Sequence, residues 1–233
     1  AGAMSKICVT VGRGRHTTML EEWKAAAEAG ADLVELRIDC LRREPDLSRI
    51  LAHRYTPLIF TVRRGADGGL WRGEEDKRQK LIREAIALGV DYIDLEMDLA
   101  PKIPRFGKTQ RIVSYHNFKK VPSELPQLVE QMEEMNADIV KFAVLTTSLA
   151  EAIQVLKVAK NAEVPTIGIG MGEIGLFTRI LGAKYGAPLT YCNFHPERTF
   201  APGMPHLRDL RDDFAYGRIA QDTEVYAVIG DPI

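Results

Sequence analysis

The 233-residue sequence has few cysteines, little net charge and no long apolar run. Its three cysteines, Cys8, Cys40 and Cys192, are far apart and form no CxxC pair, which argues against a disulfide framework and against structural zinc. The 31 Lys and Arg side chains nearly balance the 32 Asp and Glu side chains, without any basic block. Because a nucleic-acid surface needs clustered positive charge, we expect no nucleic-acid partner.

No apolar run approaches the roughly 18 to 20 residues that a membrane-spanning helix needs. The chain also opens without the basic and then apolar segment of a signal peptide. These absences predict a cytoplasmic protein that crosses no membrane. Residues 1–3, the Ala-Gly-Ala that precedes Met4, are interpreted as the remnant of an expression tag and are left out of the fold prediction.

Eight short apolar runs rich in β-branched residues recur along the chain. Nearly continuous hydrophobicity is typical of parallel strands that helices cover on both faces, and segments with helical apolar spacing separate most of the runs. The predicted strands are 7–11, 33–38, 58–62, 92–97, 111–115, 139–144, 166–169 and 189–193. The predicted helices are 18–29, 74–88, 123–135, 148–159 and 174–184, with a closing helix at 206–216.

Eight strand–helix units in 233 residues leave roughly 29 residues for each unit, near the compact end of the range for a (β/α)8 barrel. An open doubly wound sheet is the alternative, but no GxGxxG follows the first predicted strand to form a dinucleotide site. The predicted fold is therefore an α/β protein, a (β/α)8 TIM barrel over residues 4–217. Residues 218–233 are predicted to be a linker and the truncated start of a second domain, or else a tail that packs on the barrel.

Ionisable side chains interrupt the strands near their C-terminal ends, where such barrels place functional residues. Lys141 lies within an apolar strand, where a buried ammonium must pair with a carboxylate or lose its proton. The neutral amine is a nucleophile that forms a Schiff base with a ketone or aldehyde. The alternative is a structural ion pair with Glu35 or Glu96 inside the barrel.

His116 ends the strand before that of Lys141, and imidazole suits proton transfer near neutral pH. A lone histidine at a strand end is more often a structural residue, but next to Lys141 it indicates proton abstraction beside an imine. Asp67, in the segment Asp-Gly-Gly, is either a plain turn residue or the acid that orients His116.

Three arginines, Arg37, Arg63 and Arg179, present planar forks that suit a carboxylate or a phosphate. Each of them could instead pair with a nearby Asp or Glu. The residues by themselves thus indicate a small substrate with a carbonyl group and an anionic group.

Taken in order, the motifs resemble the type I 3-dehydroquinate dehydratases of the shikimate pathway, from about residue 6 to about residue 216. Seven segments underlie this resemblance; each one is a weak signal by itself, but seven in the same order are a strong signal. They are ADLVELRID (31–39), PLIFTVR (57–63) with Gly68-Gly69, YIDLE (92–96), SYHNF (114–118), DIVK (138–141), Met171 with Arg179, and APG (201–203).

The resemblance implies dehydration of 3-dehydroquinate to 3-dehydroshikimate without a cofactor or a metal. Lys141 would form an imine with the substrate ketone, and His116 would remove the adjacent proton and return it to the departing hydroxyl. The implied substrate contacts are Glu35 and Arg37 with ring hydroxyls, Arg63 with the substrate, Arg179 with its carboxylate, and Met171 with the carbocycle.

Three positions depart from the family pattern. Asp67 stands where the family usually has Glu, so the acidic side chain that would orient His116 is one methylene shorter. Phe200 and Met204 stand where the family usually has Ser and Gln on a closing lid. Two lost hydrogen bonds, at roughly 1 kcal/mol or more each, predict binding about tenfold weaker apiece. We therefore expect a working enzyme that binds its substrate weakly.

The last residues, 225–233, resemble the opening strand of shikimate dehydrogenase, which follows this dehydratase in some fused polypeptides. We therefore expect the chain to be the dehydratase half of such a fusion, and the resemblance also allows a homodimer. Two alternative functions stay open. One is a Schiff-base aldolase or transaldolase, although no Gly-rich phosphate loop follows the seventh or eighth strand. The other is a decayed barrel kept as a scaffold for a fused partner.

Overall fold

The computed structural model describes residues 4–228 and 230. Eight parallel strands form one sheet in the order β7-β6-β5-β4-β3-β2-β1-β8, which confirms the predicted TIM barrel. Each strand lies within two residues of its predicted bounds. The strands are β1 (Lys6–Val11), β2 (Leu33–Arg37), β3 (Leu58–Thr61), β4 (Tyr92–Glu96), β5 (Gln110–Asn117), β6 (Ile139–Leu145), β7 (Thr166–Met171) and β8 (Leu189–Asn193).

The barrel is joined at β1 and β8, while no backbone ladder links β7 to β8 within the described residues. A helix after β7 lies beside this seam, the gap between β7 and β8. Its Arg179 carbonyl accepts a hydrogen bond from Oγ1 of Thr190 in β8, at 2.8 Å. The seam therefore places the Arg179 segment next to the barrel interior.

Six α-helices occur in the described part of the chain, fewer than eight regular units would give. They are α1 (His16–Glu28), α2 (Leu47–Leu51), α3 (Glu75–Ala87), α4 (Leu125–Glu133), α5 (Leu149–Asn161) and α6 (Leu176–Leu181). Only a 3-10 turn, Ala100–Lys102, lies between β4 and β5, because Pro101 and Pro104 have no amide hydrogen for a helix. The predicted closing helix is wrong in extent: a π-helical turn, Asp209–Asp213, and a 3-10 turn, Tyr216–Arg218, take its place.

Apolar side chains pack both outside and inside the strands. The outer core lies between strands and helices, and its largest buried members include Trp23, Phe60 and Phe142. Inside the barrel, a buried apolar layer lies near the N-terminal ends of the strands: Leu33, Ile59, Ile112, Ile139, Ile167 and Leu189. Side chains alternate between the two faces of a strand, so residues two and four positions later also point inward. Those positions hold the polar residues of the site.

Residues 224–228 form no strand, and Val228 is fully exposed. Residues 1–3, which the sequence predicts to be a tag remnant, residue 229 and residues 231–233 lie outside the described residues. The predicted domain boundaries and the second-domain strand therefore stay predictions. Within residues 4–228, no helix is both long and apolar enough to cross a membrane.

Candidate active site

All ten residues that the sequence singled out line one cavity at the C-terminal ends of the strands. The strands supply five of them, and α6 and the loops after β3 and β8 supply the other five. They are Glu35, Arg37, Arg63, Asp67, His116, Lys141, Met171, Arg179, Phe200 and Met204. Met171 is the last residue of β7 rather than part of the loop after it, and it is buried.

Lys141 lies in the middle of β6 with its side chain buried inside the barrel. Its Nζ donates a hydrogen bond to Oδ2 of Asp94 at 3.1 Å and lies 4.4 Å from the ring centroid of Tyr191. The expected ion-pair partners, Glu35 and Glu96, were therefore wrong. Glu35 accepts from two threonines and Glu96 from Arg63 and Arg78, whereas Asp94 is the acid that accepts from the amine and fixes its position.

Asp94 is the centre of a buried network. Its Oδ1 accepts hydrogen bonds from Oγ of Ser114 at 2.6 Å and from Nη1 of Arg63 at 2.9 Å. Burial acts to raise the pKa of Asp94, but the charges of Arg63 and Lys141 hold it well below its usual range. Asp94 is therefore a permanent carboxylate near neutral pH, and its hydrogen bond holds the side chain of Lys141 in position.

Glu35 is held by two threonines. Its Oε1 accepts from Oγ1 of Thr10 at 3.0 Å, and its Oε2 accepts from Oγ1 of Thr61 at 2.8 Å. The carboxylate is buried and lines the cavity. Because each carboxylate oxygen can accept more than one hydrogen bond, Glu35 retains acceptor capacity toward a bound hydroxyl.

Two of the three predicted arginines are paired with acids. Arg37 forms a bidentate pair with Asp39, at 2.9 Å from Nε and 2.8 Å from Nη2. Arg63 donates from Nη1 to Asp94 and, at 3.2 Å, to Glu96. Asp39 also accepts from the backbone amide of Arg63 at 3.1 Å, which ties the end of β2 to the end of β3. These two guanidinium groups therefore shape the wall of the cavity.

Arg179 differs because its guanidinium has no carboxylate partner among the described residues. Its Nε is buried without a hydrogen-bond partner there, and its Nη2 reaches only the carbonyl of Pro202, at 3.5 Å. Burial lowers the pKa of Arg179 to about 10, so the group still has its positive charge near neutral pH. A buried, uncompensated cation is costly, and in a cavity it favours an anionic ligand.

His116 lies at the end of β5, one layer above Lys141, because Ser114 is the residue that pairs with Lys141 in the strand register. Its Nδ1 is buried and has no hydrogen-bond partner among the described residues. Burial, followed by the charges of Arg63 and Lys141, lowers the pKa of His116 well below its usual value. The imidazole is therefore neutral near pH 7 and able to accept a proton.

Asp67 lines the same cavity, but among the described residues it forms no hydrogen bond with His116. Its Oδ2 accepts from Nε of Arg64 at 2.7 Å, and Arg64 also binds Asp98 on the rim. The turn depends on glycine, because a Cβ at Gly69 would lie 2.1 Å from the carbonyl oxygen of Arg63. The proposed orientation of the histidine by this acid thus requires a different arrangement of the loop.

The loop after β8 covers the mouth of the cavity. It is attached through the carbonyl of Pro202, which accepts from the amide of Gly172 at 3.1 Å, and through Asn193, whose amide donates to the carbonyl of Pro205 at 2.8 Å. The ring of Phe200 lies 5.6 Å from the guanidinium carbon of Arg37. Phe200 and Met204 thus present apolar surface to the cavity.

Sequence reasoning assigned no role to Asp94 or Tyr191. Asp94 was visible as an acid within a strand, but three acids on β4 and its loop gave no signal to choose among them. Tyr191 lies within the predicted strand 189–193 as an ordinary aromatic residue. Only the register of β8, which places Tyr191 opposite Cys8 inside the barrel, shows that it lines the cavity.

The family profile described as Type I 3-dehydroquinase matches residues 7–219. The chain belongs to this family. The predicted resemblance, and with it the prediction of an enzyme, is confirmed. A type I 3-dehydroquinase fold also accounts for the eight-stranded barrel and for the position of its cavity.

Three relatives illustrate the similarity. The chain is 39% identical to a bifunctional 3-dehydroquinate dehydratase/shikimate dehydrogenase, chloroplastic, of Arabidopsis thaliana, across 98% of this chain and 40% of that protein. It is 36% identical to a 3-dehydroquinate dehydratase of Methanocaldococcus jannaschii, across 78% of this chain and 86% of that protein. A solved 3-dehydroquinate dehydratase of Geobacillus kaustophilus superposes with a TM-score of 0.83 at 26% identity, across 92% and 91% of the two chains.

The chain thus spans less than half of the bifunctional Arabidopsis relative, but most of the single-activity relative from Methanocaldococcus. An aldolase named QR15 superposes with a TM-score of 0.54 at 15% identity, which shows a shared fold alone. The comparisons therefore favour the dehydratase over the aldolase alternative.

Proposed function

We propose that this chain dehydrates 3-dehydroquinate to 3-dehydroshikimate through an imine on Lys141, with His116 as general acid and base. The observation that supports this most strongly is the shared cavity of Lys141, His116 and the unpaired guanidinium of Arg179. Together they offer a nucleophile, a neutral base and an anion site, which are the groups that a keto acid with a leaving hydroxyl requires. The names of the relatives agree with this substrate.

In the proposed sequence, the ammonium of Lys141 first gives a proton to water. The resulting amine attacks the substrate ketone, and loss of water gives the imine. His116 then removes a proton from the carbon beside the imine, because the iminium accepts the electron pair. Expulsion of the hydroxyl one carbon further away takes that proton as water. Hydrolysis of the imine releases the enone product and restores the lysine, so one water is lost per turnover.

The other residues position the substrate in this proposal. Arg179 binds the carboxylate through a charge-assisted pair, and Glu35 accepts from a ring hydroxyl. Arg37 and Arg63, which are paired with acids, hold the polar wall in place and offer their remaining N–H groups. Met171 packs on the carbocycle.

The test is direct. Wild-type protein is mixed with 3-dehydroquinate, and the ultraviolet absorbance of the enone product is followed. Borohydride is then added, and the intact protein mass is measured. We expect both enone formation and a covalent adduct. A folded wild type that gives neither would leave the scaffold alternative, and turnover of phosphorylated sugars instead would support the aldolase alternative.

Replacing Arg179 with methionine is expected to raise KM for 3-dehydroquinate by roughly 100-fold, because the substrate carboxylate loses its buried cation. The same change removes an uncompensated buried charge, so we expect the Tm to be no lower than in wild type. Steady-state kinetics and thermal unfolding measure the two effects.

Arg111→Met is the matched control. Arg111 is equally buried, but it donates to backbone carbonyls of Ala100 and Asn136 at 2.8 and 3.0 Å, away from the cavity. That variant should lower the Tm and leave KM unchanged. A normal KM in Arg179→Met would contradict the carboxylate role.

The double variant Phe200→Ser/Met204→Gln is expected to lower KM, because it restores two polar groups to the loop over the cavity. Two hydrogen bonds of about 1 to 1.4 kcal/mol each correspond to roughly 30- to 100-fold. Since Phe200 also contacts Arg37, the single variants should be measured beside the double variant. An unchanged KM would discard the explanation of weak binding by these two residues.

We propose that the protein works in the shikimate pathway in the cytoplasm. We also propose that residues 218–233 lead into a shikimate dehydrogenase domain in a longer polypeptide, by analogy with the bifunctional relative. Homodimer formation stays a prediction, which size-exclusion chromatography with light scattering would test.

A further inference from the structure

Tyr191 has a buried hydroxyl that the mechanism above does not use. The residue lies in β8 with its side chain inside the barrel, 3% exposed, and it lines the same cavity as Lys141. One face of its ring is against Nζ of Lys141. The phenol is therefore held beside the atom that the proposed mechanism joins to the substrate.

The hydroxyl of Tyr191 has no hydrogen-bond partner among residues 4–228 and 230. An unsatisfied buried hydroxyl is destabilising, whereas phenylalanine would fill the same space without that cost. Burial, reinforced by the charge of Glu35, raises the pKa of Tyr191 well above its usual value, so the phenol retains its proton. It is thus a hydrogen-bond donor whose acceptor is missing from the protein.

The other large buried tyrosine of the barrel shows the contrast. Tyr216 hydrogen-bonds through its hydroxyl with Oγ of Ser5 at 2.7 Å, and it does not line the cavity. A buried tyrosine outside the cavity thus has a hydrogen-bond partner for its hydroxyl in this protein, whereas the hydroxyl of Tyr191 has none among the described residues.

The buried side-chain atoms without a partner gather around the cavity. Within the described residues they are Nδ1 of His116, Nε of Arg179, Oη of Tyr191 and Oδ1 of Asn193. The first two belong to residues with proposed roles in catalysis and substrate binding. Tyr191 lines the same cavity, and Asn193 lies two residues further along β8. Unsatisfied groups that cluster in this way are better explained by a binding site for a polar ligand than by random packing defects.

We propose that Tyr191 is a substrate-binding residue whose hydroxyl donates a hydrogen bond to an oxygen of the bound substrate, on or beside the carbon that Lys141 attacks. This inference rests on the proposed function. In this role the hydroxyl of Tyr191 supplies a polar contact from the barrel wall, in a cavity whose covering loop presents Phe200 and Met204. Specificity for a hydroxylated ring then comes in part from β8.

The experiment compares Tyr191→Phe with the matched variant Tyr216→Phe, by kcat, KM and Tm. For Tyr191→Phe we expect KM to rise about tenfold with an unchanged or higher Tm, because an unsatisfied hydroxyl is removed. For Tyr216→Phe we expect a lower Tm, because its hydroxyl is satisfied, and unchanged kcat and KM. A purely structural Tyr191 would lower the Tm without a selective effect on KM.

Two results overturn the inference. The first is an active wild type whose Tyr191→Phe variant has the same kcat/KM. The second is a Tyr191→Phe variant whose loss of activity is accompanied by a lower Tm, as for the control. A wild type without dehydratase activity would instead overturn the proposed function itself and this inference with it, so the two failures are distinguishable.

Discussion

Lys141→Ala is expected to abolish dehydration and the borohydride adduct together. Removal of a covalent nucleophile lowers kcat on the order of 10⁶-fold, so the residual rate should reach the background of the assay. The substrate should still bind, because Arg179 and Glu35 remain in the cavity. Activity, adduct mass and binding of 3-dehydroquinate to the variant measure these three expectations.

The variant should remain folded, which makes the result interpretable. After loss of Lys141, the carboxylate of Asp94 retains Arg63 and Ser114 as donors, so no buried charge is left alone. Lys160→Ala, at an exposed lysine on α5, is the control and should retain both activity and the adduct. An adduct that persists in Lys141→Ala would move the imine to another lysine.

The strands were predictable because their signal is local. Short apolar runs of period two or of continuous hydrophobicity gave each of the eight strands within two residues of its observed bounds. The helix α2 was not predicted, since Leu47–Leu51 is too short for helical periodicity, and its start depends on Asp46, which accepts from the amide of Arg49 at 3.0 Å. Short helices of this kind are decided by capping and packing.

The candidate residues were predictable as a set, because polar side chains at the ends of parallel strands must meet at one end of the barrel. The hydrogen-bond and ion-pair partners of these residues were not predictable. Glu35, Glu96 and Asp94 are all acids within strands, and the choice of the one that pairs with Lys141 depends on where neighbouring strands and helices place the other donors. Arg78, which reaches Glu96 from α3 at 3.1 Å, decides part of that choice from 18 residues away in the sequence.

The loops show a second limit of sequence reasoning. Asp67 was expected to orient His116, yet it binds Arg64, three residues before it in the same turn. Arg64, in the same turn, competes with the distant His116 for the carboxylate of Asp67. The Asp side chain is also one methylene shorter than Glu, which limits how far its carboxylate can reach. The unsatisfied Nδ1 of His116 and the unpaired guanidinium of Arg179 have no signature in the sequence, because both depend on the absence of a neighbour in three dimensions.

His116→Asn is expected to lower kcat by about 10²- to 10⁴-fold, the usual contribution of a general acid or base, while the borohydride adduct on Lys141 still forms. His53→Asn, at a histidine that stacks on Tyr55 outside the cavity, should leave kcat unchanged. Loss of the adduct in His116→Asn together with loss of turnover would instead assign His116 to imine formation alone.

The pH dependence follows from the lowered pKa of His116. Burial and the charges of Arg63 and Lys141 disfavour the imidazolium, and the charge of Asp94 only partly offsets them. The acid limb of kcat/KM should therefore lie below pH 6.5, the ordinary pKa of histidine, and it should disappear in His116→Asn.

The same lowered pKa of His116 affects stability. Below pH 6.5 the unfolded chain binds a proton at this residue that the folded chain does not bind, until the pH reaches the folded pKa. The free energy of unfolding therefore rises with pH through that window, and His116→Asn should flatten this slope. An acid limb above pH 6.5 in wild type would mean that the base is held protonated, in conflict with a neutral imidazole beside two cations.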